Sequence, residues 1–253
     1  MKYSEKQIEK LLKDIYSGEI TEYALPDDLY FAISDYLKKA VFEGFHMTVD
    51  LAAGSDKVLL QSLVDNVYLF SGAKTFQEVK AMSAMVTAEG ELRTYKEFAE
   101  IARKEYDLYN VAWANSEYNT AVGQADSAAK WNEIENNKDV LPMLRYSAVI
   151  DANTSDICEP LDGILAPVDD PIWDTITPLN HYNCRCVLLQ EDSGERSPDA
   201  DDRAGQVEDK MQDAFKNNVG KTGEVFTKDH PYFDVPKEDR DFAKTNFGLT
   251  IPE

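Results

Sequence analysis

LRYSAVIDANTSDICEPLDGILAPVDDPIWDTITPLNHYNCRC, residues 144–186, is where the chain changes character. Leu144, Tyr146, Ala148 and Ile150 alternate with Arg145, Ser147 and Val149, the two-residue period of a strand with one buried face. Asp, Pro and Gly then crowd residues 154–178, a composition that predicts loops held by something other than a hydrophobic core. Arg185 to Leu189 predicts a second short strand. The pattern ahead of this stretch is helical, so the strands make the fold α+β, mainly helical, instead of all-α.

Upstream, Ser4 and Gln7 form a capping box, and Ile8, Leu11, Leu12, Ile15 and Tyr16 follow at helical spacing until Gly18. A second helix is expected from about Pro26 to Gly44, with Leu29, Ile33, Leu37, Ala40 and Val41 on one face. Residues 55–70 and 76–86 predict two more helices, separated by a turn at Ser71-Gly72. Thr94 with Glu97 opens a long helix running toward Gly123, its aromatic stripe of Tyr106, Tyr109, Trp113 and Tyr118 expected in the core. Downstream, EDSGERSPDADD (residues 191–202) is polar, acidic and aperiodic, which predicts a flexible connector. A short helix over 207–215 and an extended arm with Phe226, Tyr232, Phe233 and Phe247 are expected beyond it. The expected division is a helical region at 1–90, a central domain at 91–190, and an acidic linker and tail at 191–253.

With 253 residues and 43% hydrophobic content the chain can bury a sizeable core. Its formal charge of −21, from 47 acidic against 26 basic residues, opposes nonspecific binding to a phosphate backbone and favours a basic protein surface as partner. The opening residues have no signal-peptide pattern, and no apolar run has the length of a membrane span, so a start in a cytoplasm and no membrane partner are expected. No G-x-x-x-x-G-K-[ST], G-x-G-x-x-G or G-x-S-x-G stands in the sequence, and no small-molecule substrate is expected.

The three cysteines, Cys158, Cys184 and Cys186, fall in one window with His181, at the spacing C-x22-H-x2-C-x-C. Thiolate and imidazole are the preferred ligands of structural zinc, and a Cys₃His set would close a tetrahedral site. If Cys184 and Cys186 lie in a strand, their sulfurs point the same way. Three other readings stay open. The cysteines can be small buried residues; they can form a disulfide, which the odd count and a reducing compartment disfavour; or one can be a nucleophile paired with His181, with Asp151 or Asp156 orienting the imidazole.

Over residues 144–186 the sequence resembles the phage Mu F-like head morphogenesis family, also described as minor head or minor capsid proteins. The resemblance rests on Tyr146, Asp151 and Thr154, on Cys158 followed by Leu161-Asp162-Gly163, on Trp173 and Pro178, and on the closing Asn183-Cys184-Arg185-Cys186. VYLFSGAKTF, YNVAWANSEYNTAVGQADSAAKW and KDHPYF extend it to roughly residues 66–233. Many members carry His where Cys158 stands, an exchange a shared ligand position would allow. The resemblance implies a non-catalytic virion component near the portal, acting in head assembly and in DNA packaging or ejection. Its implied location is the head interior, after assembly in the host cytoplasm. The partners implied are the portal protein, the major capsid protein, or both, with packaged DNA as a further contact. Two other functions carry their own expectations: a Cys-dependent hydrolase or protease of head maturation, and an acidic DNA mimic that occupies a packaging protein.

Overall fold

The computed structural model describes residues 1, 3–243 and 245–248. Its fold is mainly helical α+β, as the sequence predicts, and the chain divides into two compact units. The first combines Met1–Lys39, Asp65–Tyr118 and the described part of Pro231–Glu253; the second combines Ala40–Val64 and Asn119–His230.

Helix α1 (Glu5–Ser17) starts with both bonds of the Ser4/Gln7 capping box and buries Ile8, Leu11, Leu12 and Ile15, the stripe legible in the sequence. Helix α2 (Asp27–Gly44) likewise buries Leu29, Ile33, Leu37, Ala40 and Val41. Helix α3 (Gly54–Ala84) is continuous where a turn at Ser71-Gly72 was expected. Ser71 is fully buried and its Oγ donates to the Val67 carbonyl at 2.6 Å, while Thr75 Oγ1 donates to the Ser71 carbonyl at 2.8 Å. Residues that favour turns in water thus satisfy themselves on their own helix once burial removes the solvent alternative.

A two-strand hairpin, β1 (Thr87–Ala88) with β2 (Glu91–Leu92), leads to α4 (Tyr95–Asp107), which begins at the Thr94/Glu97 box. The long helix then widens into a π-helical turn, Leu108–Trp113, before α5 (Ala114–Asn137). An inserted residue rotates everything after it around the axis. Tyr106 and Tyr109 are buried, Trp113 is 40% exposed and Tyr118 is half-buried, so the aromatic stripe is core only in part. Gly123 does not end α5: a Cβ there would sit 2.5 Å from Leu179 Cδ1, and the glycine serves close approach. At Gly44 a Cβ would lie 2.0 Å from the Val122 carbonyl oxygen, which is backbone and has little room to move. Gly44→Ala is expected to cost about 1–3 kcal/mol through overpacking, read as a fall in the urea midpoint at unchanged slope.

In the second unit, β3 (Met143–Ser147) is the centre of an antiparallel sheet, flanked by β4 (Leu165–Pro167) and β5 (Val187–Glu191). Leu144 faces Ala166 on one side and Gln190 on the other, and Tyr146 pairs with Leu188. Leu144 and Tyr146 are fully buried, but the strand ends at Ser147 and leaves Ile150 59% exposed. Strand β5 starts only at Val187, so Cys184 and Cys186 lie in the loop ahead of it and not in a strand.

The segment expected to be loops contains two one-turn helices, α6 (Cys158–Leu161) and α7 (Trp173–Ile176), besides β4. It is also well cored: Leu161, Ile164, Ala166 and Trp173 have no exposure and join Leu144, Tyr146, Trp131 and Ile134 in one cluster. Nor is the acidic run 191–202 a free connector. Ser197 exchanges two bonds with Leu165, and Arg196 pairs with Asp170 and Asp201, both at 2.6 Å. It leads into α8 (Ala200–Glu208), which starts ahead of the expected helix and adds Ala200 and Val207 to the cluster. Among the described residues no helix is long and apolar enough to cross a membrane.

Candidate metal centre

The backbone around α6 is pinned to β3 before any thiol contributes. The Gly163 amide donates to the Tyr146 carbonyl at 2.8 Å, and Asp162 Oδ1 accepts from the Ala148 amide at 2.8 Å. Thr154 Oγ1 bridges the Asp151 amide and the Val149 carbonyl, closing the turn after β3. Asp151 holds the Arg185 guanidinium through two bonds of 2.8 Å, which fixes the intervening residue between Cys184 and Cys186. That exposed pair draws the Asp151 carboxyl down to about 2, with the Asn153 amide as second cause. Trp173 Nε1 donates to the Pro167 carbonyl at 2.8 Å, Ser127 Oγ donates to the Pro178 carbonyl, and Asn183 turns the chain at φ +59°. The residues that carry the family resemblance are thus mostly the fasteners of one loop cluster, and Leu161 and Trp173 are its core.

Inside this frame the Cys158 sulfur lies 3.1 Å from His181 Nε2 and 3.7 Å from the Cys184 sulfur. Cys158, His181 and Cys184 place one ligand atom each within 4.8 Å of one another. Cys186, 8% exposed, interacts with both Cys158 and Cys184 without joining that mutual trio. His181 has its ring fixed from both ends, by Ser155 Oγ at 2.9 Å from Nε2 and the Tyr182 carbonyl at 2.8 Å from Nδ1. The Tyr146 hydroxyl donates to Asn180 Oδ1 at 2.7 Å and lies 3.6 Å from the Cys158 sulfur. Sequence reasoning did not single out Ser155 or Asn180. Ser155 had a signal: it stands three residues before Cys158, whose amide it caps at 3.1 Å.

Bonds from Cys184 and Cys186 pull the Cys158 thiol far below the usual range against the cost of burial, with His181 and Ser155 adding to the effect. Contact with Cys158 pushes the Cys184 and Cys186 thiols upward. Contact with Cys158 raises His181, and burial raises the Tyr146 hydroxyl.

The spacing fits a metal better than a bridge. Sulfurs bonded to a tetrahedral zinc at ~2.3 Å stand ~3.8 Å apart along an edge, whereas a disulfide needs ~2.05 Å. The three cysteines are free and buried. The cavity beside Cys158 is ≈ 20 Å³, lined by Thr154, Ser155, His181, Arg185 and Cys186 among others, room for about one water and not for a substrate group, while a separate cavity of ≈ 170 Å³ reaches Cys184 and Cys186. The Cys158, His181 and Cys184 group could hold a metal ion.

Comparison with known proteins agrees with this part of the chain. Residues 79–189 match the family described as Phage Mu protein F like protein. A protein named as capsid assembly protein F in Escherichia phage Mu is 32% identical over 88 residues, 35% of this chain and 20% of that protein. The Mu-like prophage FluMu F protein of Haemophilus influenzae is 41% identical over 59 residues, 23% of this chain and 14% of that protein. The matches therefore span a fifth or less of these relatives' length. No solved structure matches the chain. The stretch that is similar to the Phage Mu protein F like family, residues 79–189, contains β3 and all four Cys/His positions of the loop cluster.

Proposed function

We propose that the chain is a minor head protein of a tailed phage or prophage, a non-catalytic virion component acting in head assembly at the portal. The observation that carries this reading is the match of residues 79–189 to the Mu F family, with one relative named for capsid assembly. Its partners are the portal and major capsid proteins. The charge of −21 favours their basic surfaces over packaged DNA. The test is mass spectrometry of purified, cross-linked particles. Peptides of this chain linked to portal or capsid subunits support the reading, and particles without the chain overturn it.

In the same proposal the loop cluster binds one structural zinc through Cys158, His181, Cys184 and Cys186. The ion would supply a fixed positive charge to which the thiolates and imidazole are tied. About one zinc per chain is expected by elemental analysis, with thiols that resist alkylation until a chelator is added. Cys184→Ser is expected to lose the metal. A metal-free protein with one rapidly alkylated thiol would replace this reading with that of a Cys-dependent hydrolase, which the 3.1 Å contact of Cys158 with His181 would suit. Against the hydrolase stand the 3% exposure of Cys158 and the one-water cavity beside it.

A further inference from the structure

The first unit buries a second polar cluster, unrelated to the thiols. Lys74 and Glu78 stand one turn apart on α3, Asn110 lies in the π turn, and Glu117 lies on α5. Lys74 Nζ is 2.5 Å from Glu117 Oε2, which leaves Glu78 as the carboxyl without a cation of its own. Asn110 Nδ2 donates to Glu78 Oε1 at 2.5 Å and to the Tyr106 carbonyl at 3.2 Å. The carbonyl can only accept, so it fixes which end of the carboxamide faces it. Two acceptors are then left over, Glu78 Oε2 and Asn110 Oδ1, both buried and both without a partner. Two buried orphan acceptors on side chains already joined by a hydrogen bond are costly, and a proton on Oε2 donated to Oδ1 would remove both deficits.

We propose that Glu78 is held as a neutral acid, joined to Asn110 in a closed acid–amide ring, and that the proton it carries latches α3 to the π turn. Nδ2–H donates to Oε1 on one side, and Oε2–H donates to Oδ1 on the other. Loss of the proton sets Oε2 against Oδ1 and places a second carboxylate beside the Lys74–Glu117 pair, so the π turn is pried from α3. The charged and titratable groups around Glu78 are Lys74 on its own helix, Glu105 and Tyr106 on α4, Tyr109 in the π turn, Glu117 on α5, and Tyr3 and Tyr232. Desolvation outweighs the pull of Lys74 and Asn110 and pushes Glu78 up to about 8. The folded chain therefore binds one proton more than the unfolded chain from the ordinary Glu range up to about 8. This stability is full below that window and is lost as pH rises through it, at up to about tenfold in the unfolding constant per pH unit.

The test compares urea unfolding of the full chain with Glu78→Gln from about pH 5 to about pH 9, alongside infrared spectra of the wild type. Gln keeps an acceptor and supplies a permanent donor to Asn110 Oδ1. The wild type is expected to lose stability with rising pH, and Glu78→Gln to lose that proton's share of the slope. A protonated-carboxyl C=O band should be present at neutral pH, fade toward about pH 9, and be absent in Glu78→Gln. A wild type without that band at neutral pH, or a Glu78→Gln variant with the full wild-type slope, overturns the proposal. So does stability that instead follows sodium or potassium concentration, because a cation would then sit between the two oxygens. If Glu78→Gln does not fold, the wild-type band decides alone.

Discussion

Lys74→Ala is expected to destabilise the protein by about 3–5 kcal/mol, the range for removing one partner of a buried ion pair. Lys74 is fully buried, and its ammonium reaches Glu117 at 2.5 Å and the Tyr109 carbonyl at 2.8 Å. Without it the Glu117 carboxylate is left with the Tyr232 hydroxyl, at 3.0 Å, as its donor among the described residues, in a buried site. The loss should come mainly from that uncompensated charge and less from the missing methylenes. The double variant Lys74→Met with Glu117→Gln should therefore recover most of the stability, because neither residue then brings a charge into the core. Equilibrium unfolding of the single and double variants measures the coupling. A loss below about 1 kcal/mol in Lys74→Ala would place the pair in contact with water, contrary to its burial.

Trp173→Ala should cost about 3–5 kcal/mol, for a different reason. The indole is fully buried in the cluster with Leu144, Leu161 and Ile176, and its Nε1 is bonded to the Pro167 carbonyl. Truncation leaves a cavity and an unpaired carbonyl at the end of β4. Trp173→Phe keeps much of the apolar volume and loses the bond, so about 1–2 kcal/mol is expected. Metal content separates the two contributions to this unit. If hydrophobic burial holds the loop frame, Trp173→Ala should weaken retention of the proposed zinc. If the thiols alone hold it, retention should be unchanged.

Most helices were legible because their ends carry reciprocal caps and their buried faces repeat at helical spacing: Ser4 with Gln7, Thr94 with Glu97, and Ile8 through Ile15. The break expected at Ser71-Gly72 failed because turn preference is a solvent-exposed property and Ser71 has no solvent. The π turn had no local signature. It moved Trp113 to the surface while the spacing of the aromatics stayed helical. The thiols and His181 could be grouped from sequence because few other ligands exist in the chain, and Cys158, His181 and Cys184 do converge. The reason offered for that clasp, a region without a core, was mistaken. Leu161, Ile164, Val168, Ile172, Trp173 and Ile176 are spaced irregularly through Pro- and Asp-rich sequence, so no period announces that they meet. Ser155 and Asn180 were missed since each is an ordinary loop residue until the fold puts it beside the imidazole or the Tyr146 hydroxyl.

Each unit draws on stretches far apart along the polypeptide, and this bears on synthesis. Tyr232 meets Glu117 and stacks on Tyr109 with ring centroids 5.8 Å apart, and Gln77 grips the carbonyls of Tyr232 and Asp234. A ribosome that has delivered α1 through α5 has therefore made a helical body still short of the Tyr232 ring that packs against it. The recognisable stretch 79–189 expressed by itself would also lack Ala200, Val207 and Met211 from the cluster around Trp173. Nascent chains halted near residue 190 should stay sensitive to protease, and protection should arrive late, when the final segment folds back to close what the first helices began.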